Sequence, residues 1–200
     1  CDRRQRQMCI RDSIGPTGKL LAPLGPLSFG EAYDIFAEQA RAAHEAGCDL
    51  IFLETFADLL EAKAALLACV ENTSLPVFAT MTFGEDGRSF MGTTPAIAAT
   101  TLSALGASAV GINCSLGPKE IFPMAKRLAE ALPGDFPVFV KPNAGLPRAD
   151  GSGYDITPQL FALQMKPYRE LRLFAAGGCC GTTPEFIKLL NSTFAGCTPG

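Results

Sequence analysis

From residue 13 onward the chain alternates short β-rich runs with amphipathic segments of helical length, and this alternation limits the fold more than any other feature. Strands are expected at 49–55 (DLIFLET), 76–83 (PVFATMTF), 109–114 (AVGINC), 137–142 (PVFVKP) and 171–176 (LRLFAA), with a stub at 13–14. Their starts recur about every 30 residues, the length of a strand plus its crossover helix. Helix starts are well marked. Ser28 and Glu31 form a capping box, and Gly47 stands where that helix must stop. Asp58 and Glu61 repeat the pattern for a segment ending near Asn72, and Thr-Pro pairs at 94–95, 157–158 and 183–184 each place a capping threonine before a proline suited to the first helical position.

Repeated βα units with apolar strands allow a (β/α)8 barrel or an open doubly wound sheet. The open nucleotide-binding form calls for a glycine-rich phosphate loop after its first strand, and no G-x-G-x-x-G or Walker pattern is present. The reading is therefore an α/β TIM barrel. A full barrel takes about 250 residues, so this chain of 200 is expected to be incomplete, lacking about the first two strands. Residues 1–12 (CDRRQRQMCIRD) carry four arginines and no apolar period, and are expected to be a non-native or disordered leader before a partial barrel at 13–200.

Composition excludes several function classes. With 48% hydrophobic and 18% charged residues the chain is core-forming, not disordered. A net charge of −3, with no basic stripe, argues against nucleic acid. No apolar run approaches the ~20 residues that span a bilayer, and no signal-peptide pattern opens the chain, so no membrane partner and a cytoplasmic location are expected. One histidine, His44, leaves no imidazole for a hydrolase triad or a His-rich metal site.

In a barrel, chemistry sits where strands end on their C-terminal side. Glu54, Cys114, Asn143 and the pair Cys179-Cys180 all fall there. Adjacent residues of a regular strand point to opposite faces, so Cys179 and Cys180 reach one metal only if the backbone turns, and Gly177, Gly178 and Gly181 permit the turn. With Cys114 from two units earlier they can close a tripod of thiolates on a soft tetrahedral ion, and an open fourth position describes a catalytic zinc. Alternatively these cysteines are small buried hydrophobes, which is the reading for Cys48 and Cys69 on helices and for Cys1, Cys9 and Cys197. Glu54 can equally be a capping or interior carboxylate, and Asn143 a turn residue. FGEDGRS (83–89) and DGSGYD (150–155) read as rim loops.

The stretches GINCSLGP (111–118), KPNAGLP (141–147), GGCCGTTPEFI (177–187), SIGPTGKLLAPLG (13–25) and LIFLETFADLLEAKAAL (50–66) resemble the homocysteine-binding barrel of cobalamin-dependent methionine synthases. The doubled cysteine marks homocysteine S-methyltransferases generally, while NCSLGP and KPNAGLP look more like the cobalamin-dependent branch. The resemblance implies a zinc-dependent methyltransferase module that activates the homocysteine thiol to form methionine. Zinc would be held by Cys114, Cys179 and Cys180, with no catalytic residue beyond the metal site. Glu54 would bind the substrate amino group and Asn143 would lie beside the zinc. Cobalamin and methyltetrahydrofolate would sit on other domains, the cobalamin domain of the same chain or complex being the partner. The family's opening strand, with its D-G-A-M-G-T-like motif that also contacts the amino acid, has no counterpart here. Two other functions fit the same residues: a free-standing methyltransferase using S-methylmethionine, S-adenosylmethionine or betaine, and a non-catalytic zinc-stabilised barrel remnant.

Overall fold

The computed structural model describes residues 10–171 and 173–195. Six strands form one parallel sheet in sequence order: β1 (Arg11–Ile14), β2 (Leu50–Phe56), β3 (Val77–Met81), β4 (Ala109–Asn113), β5 (Val138–Lys141) and β6 (Ala175–Ala176). Among the described residues each strand pairs only with its sequence neighbours, the winding of a barrel; a doubly wound sheet reverses its order partway. Among the described residues β1 and β6 do not meet, so the barrel is open. The helices are α1 (Phe29–Glu45), α2 (Leu59–Asn72), α3 (Pro95–Ala104), α4 (Pro118–Glu130), α5 (Pro158–Met165) and α6 (Pro184–Phe194).

Side-chain alternation divides each strand between two environments. Ile51, Leu53, Val77, Ala79, Met81, Val110, Ile112, Val138 and Val140 face the helices and join the main core. Residues between them turn to the concave face, where Phe52, Ala109 and Phe139 form a second buried cluster with Leu50 and Phe78. Ring centroids there lie 4.8 Å (Phe52–Phe139) and 6.1 Å (Phe52–Phe78) apart. Gly111 is required beneath this stack, because a Cβ on it would come within 2.0 Å of the Phe139 carbonyl oxygen. The next inward layer, at the strand ends, is polar: Glu54, Thr80, Asn113 and Lys141.

The capping box of α1 is present, and Gly47 follows the helix at φ +79°. Asp58 caps α2 through Leu60 N–H, but Glu61 does not complete a box. It is 4% exposed and accepts from the backbone N–H and hydroxyl of Thr17, tying the loop after β1 to α2. Thr94 and Thr157 cap α3 and α5 with their hydroxyls, whereas Thr183 precedes α6 without a side-chain cap.

Two sequence readings are corrected. β1 begins at Arg11, so Arg11 and Asp12, assigned to the leader, pair with Leu50 and Ile51; residues 1–9 lie outside the described residues. Asp49 secures that pairing, donating its N–H to the Ile10 carbonyl and accepting from Ile10 N–H through its carboxylate. The last strand, expected over 171–176, is only Ala175–Ala176, because Leu171 closes a 3-10 turn (Lys166–Leu171). Among the described residues β6 has a partner on one side only; the flanking Phe174 and Gly177 N–H groups still bond to the Val138 and Val140 carbonyls. No helix among the described residues is long and apolar enough to cross a membrane.

Candidate metal centre

All four sequence-selected elements of the site lie at the C-terminal ends of β2, β4, β5 and β6. Inward-facing Asn113 would leave Cys114 pointing outward in a regular strand. Instead Cys114 and Ser115 both adopt left-handed backbone (φ +64° and +63°), which turns the chain over at the strand end. Such conformations cost roughly 1–3 kcal/mol each in non-glycine residues and persist only where neighbours hold them. Here Cys114 N–H bonds to the Lys141 carbonyl at 3.0 Å and Leu116 N–H to the Cys114 carbonyl at 2.8 Å. The Ser115 and Thr82 hydroxyls are bonded to one another.

The β6 loop is turned by glycine. Gly181 has φ +78°, and a Cβ there would lie 2.3 Å from the Tyr154 ring; a Cβ on Gly178 would clash with the Thr182 hydroxyl. Cys179 N–H donates to the Pro142 carbonyl and Ala144 N–H to the Cys180 carbonyl. Asn143, 5% exposed, accepts from Cys180 N–H at 3.1 Å. Its carboxamide thus fixes the backbone of a ligand candidate, a role its turn motif alone did not reveal.

These hydrogen bonds bring the sulfurs of Cys114, Cys179 and Cys180 within 4.8 Å of one another, with Cys114 and Cys180 at 3.6 Å. Zinc–sulfur bonds of ~2.3 Å at tetrahedral angles place sulfurs about 3.8 Å apart, so the tripod fits a soft tetrahedral ion. A hydrogen bond from Cys179 lowers the Cys114 thiol to about 7, favouring thiolate, while the same contact together with burial pushes Cys179 upward. Cys69 is fully buried in α2, where desolvation raises its thiol to about 12, and Cys48 is half-buried; both are remote from the cluster, as expected of packing residues. Cys1, Cys9 and Cys197 lie outside the described residues, and His44 is exposed on α1.

Glu54 meets partners the sequence did not suggest. One carboxylate oxygen accepts from the Ser13 hydroxyl and the other from Lys141 Nζ. Burial pushes this carboxyl up, but the Lys141 and Ser13 bonds outweigh it and its pKa falls below the ordinary value. Asn113 was also missed. It is fully buried, accepts from Thr55 N–H at 2.9 Å, and donates to the Thr55 hydroxyl and to the Cys179 sulfur. It thereby holds Thr55 at φ +71°, where the pairing of β2 with β3 shifts register. A signal existed: Asn113 and Lys141 are polar last residues of otherwise apolar strands, and alternation turns both inward. Asn113→Ala leaves the Thr55 N–H without its partner, a loss of about 1–3 kcal/mol of unfolding free energy, and loosens Cys179. Urea denaturation combined with zinc titration measures both effects.

Among the described residues, an open six-stranded parallel sheet wound as a barrel thus gathers three thiols at its strand ends into a group that could hold a metal ion. The chain belongs to the homocysteine S-methyltransferase family, whose profile matches residues 1–194. It is 33% identical over 199 residues to a methionine synthase of Mycobacterium leprae (strain TN) and 35% identical over 198 residues to that of Mycobacterium tuberculosis (strain ATCC 25618 / H37Rv). Those alignments cover 96% and 95% of this chain but 16% of each relative. Among solved structures, apo homocysteine methyltransferase MmuM from Escherichia coli superposes with a TM-score of 0.75 at 22% identity, covering 96% of this chain and 66% of that one. The carboxyl transferase domain of Rhizobium etli pyruvate carboxylase shares the fold more distantly (TM-score 0.57, 14% identity, 82% of this chain and 28% of that one).

Proposed function

We propose that this chain is a partial homocysteine-binding barrel that uses zinc to prepare the homocysteine thiol for methylation to methionine, the methyl group arriving from methylcobalamin on another domain. The observation that carries the reading is the convergence of Cys114, Cys179 and Cys180 from the ends of two strands, β4 and β6, in a family that methylates homocysteine. The cobalamin donor is supported by the NCSLGP and KPNAGLP stretches and by relatives named methionine synthase. On this reading methyltetrahydrofolate, like cobalamin, belongs to other domains of the full-length protein, and the module works in the cytoplasm.

A free thiol is only a few per cent thiolate at neutral pH. Zinc held by the three cysteines supplies a Lewis acid that makes the substrate sulfur a nucleophile without a general base. The remaining work belongs to the protein. Asn143 and Asn113 fix Cys180 and Cys179, the left-handed turn at Cys114 aims the third sulfur, and Glu54 takes the substrate ammonium.

The test mixes zinc-loaded protein with methylcobalamin and homocysteine and follows methionine formation, with S-methylmethionine as the competing donor. Glu54→Gln is expected to weaken homocysteine use at least about tenfold, or ~1.4 kcal/mol, because an ion-pair partner is removed from a desolvated site. Mercaptoethanol, which has no ammonium, should serve both proteins equally. Equal slowing with both thiols would mean that Glu54 shapes the barrel and does not read the amino acid. Transfer from S-methylmethionine alone would overturn the cobalamin assignment.

A further inference from the structure

We propose that Lys141 and Glu54 act as one reader of an α-amino acid head group, Glu54 binding its ammonium and Lys141 its carboxylate. The inference rests on the homocysteine reading and deepens it, naming a specificity residue that the sequence did not single out. Lys141 is the last residue of β5 and Glu54 lies near the end of β2, with β3 and β4 between them. Their side chains still meet across the concave face, with Lys141 Nζ bonded to Glu54 and 4.5 Å above the centre of the Phe52 ring. The side chains are only 13% and 19% exposed. The lysine stem runs alongside Gly177, where a Cβ would lie 3.4 Å from Lys141 Cγ, an ordinary packing contact. The Lys141 carbonyl also accepts the Cys114 N–H, so the ammonium is anchored to the strand end that carries a sulfur ligand candidate.

Charge balance selects the ligand. In this poorly solvated mouth Glu54 and Lys141 neutralise each other, and a ligand bringing a single charge would leave one charge unpaired, which is costly. An α-amino acid brings ammonium and carboxylate on one carbon and keeps the sum at zero. A lysine ammonium has three donors; one serves Glu54 and two remain for a carboxylate. A purely structural ion pair would be indifferent to whether the ligand carries a carboxylate.

Calorimetric titration of the zinc-loaded protein with four thiols is the test. They are homocysteine, homocysteamine without the carboxylate, γ-mercaptobutyrate without the ammonium, and propanethiol with neither. Both singly charged thiols are expected to bind unsubstituted protein at least about tenfold more weakly than homocysteine. Lys141→Met should weaken homocysteine and γ-mercaptobutyrate but leave homocysteamine as tight or tighter, and Lys141→Arg should restore homocysteine. The thiol series on unsubstituted protein discriminates even if Lys141→Met fails to fold. Equal binding of homocysteine and homocysteamine overturns the role of Lys141 and leaves the homocysteine reading standing. Binding of none of the four thiols overturns both.

Discussion

Replacing Cys114, Cys179 or Cys180 singly by serine is expected to reduce bound zinc from about one ion per chain to a small fraction of that and to abolish methyl transfer. The effect should exceed the roughly 10- to 100-fold loss typical when only an outer partner of a metal ligand is removed. A hydroxyl is a poor soft donor, and its oxygen does not reach as far as the sulfur it replaces. Cys48→Ser is the control: that thiol packs beside the main core, away from the tripod, and metal content should not change. Elemental analysis after dialysis measures both. If metal retention instead follows Cys48, the ligand assignment is wrong.

Phe36→Ala is expected to lower the unfolding free energy by about 3–5 kcal/mol, a large share of the roughly 5–15 kcal/mol that holds a domain folded. Phe36 is fully buried on the inner face of α1, and its ring centroid lies 5.8 Å from that of Phe56 on β2. Removing the ring leaves a cavity between helix and sheet that the backbone cannot close. Urea unfolding followed by circular dichroism reads the change. A loss below about 1 kcal/mol, the ordinary effect of a point substitution, would mean that α1 is not packed as described.

How far the sequence revealed this molecule depended on the range of the interaction. The Ser28–Glu31 capping box, the Thr-Pro starts of α3 and α5 and the stop at Gly47 are local, decided within a few residues, and the structure contains them. The failures came where a distant partner decided the outcome. Glu61 looked like half of a capping box, yet its carboxylate bonds to Thr17 on another loop. The final strand looked six residues long, but an edge strand beside a 3-10 turn keeps only two. In the site, Cys114, Cys179 and Cys180 were legible because ending several strands at one face of a barrel brings them together. Lys141 and Asn113 were not, because what they touch depends on strand register across the concave face: Lys141 reaches Glu54, and Asn113 reaches Thr55 and Cys179.

The central claim is that Cys114, Cys179 and Cys180 hold zinc with one position open to the substrate sulfur. X-ray absorption at the zinc edge tests it most directly. Without substrate, the spectrum should show three sulfur neighbours at ~2.3 Å and one lighter ligand. Added homocysteine should convert that lighter ligand to a fourth sulfur. A spectrum with fewer sulfurs, or one that homocysteine leaves unchanged, would contradict the account.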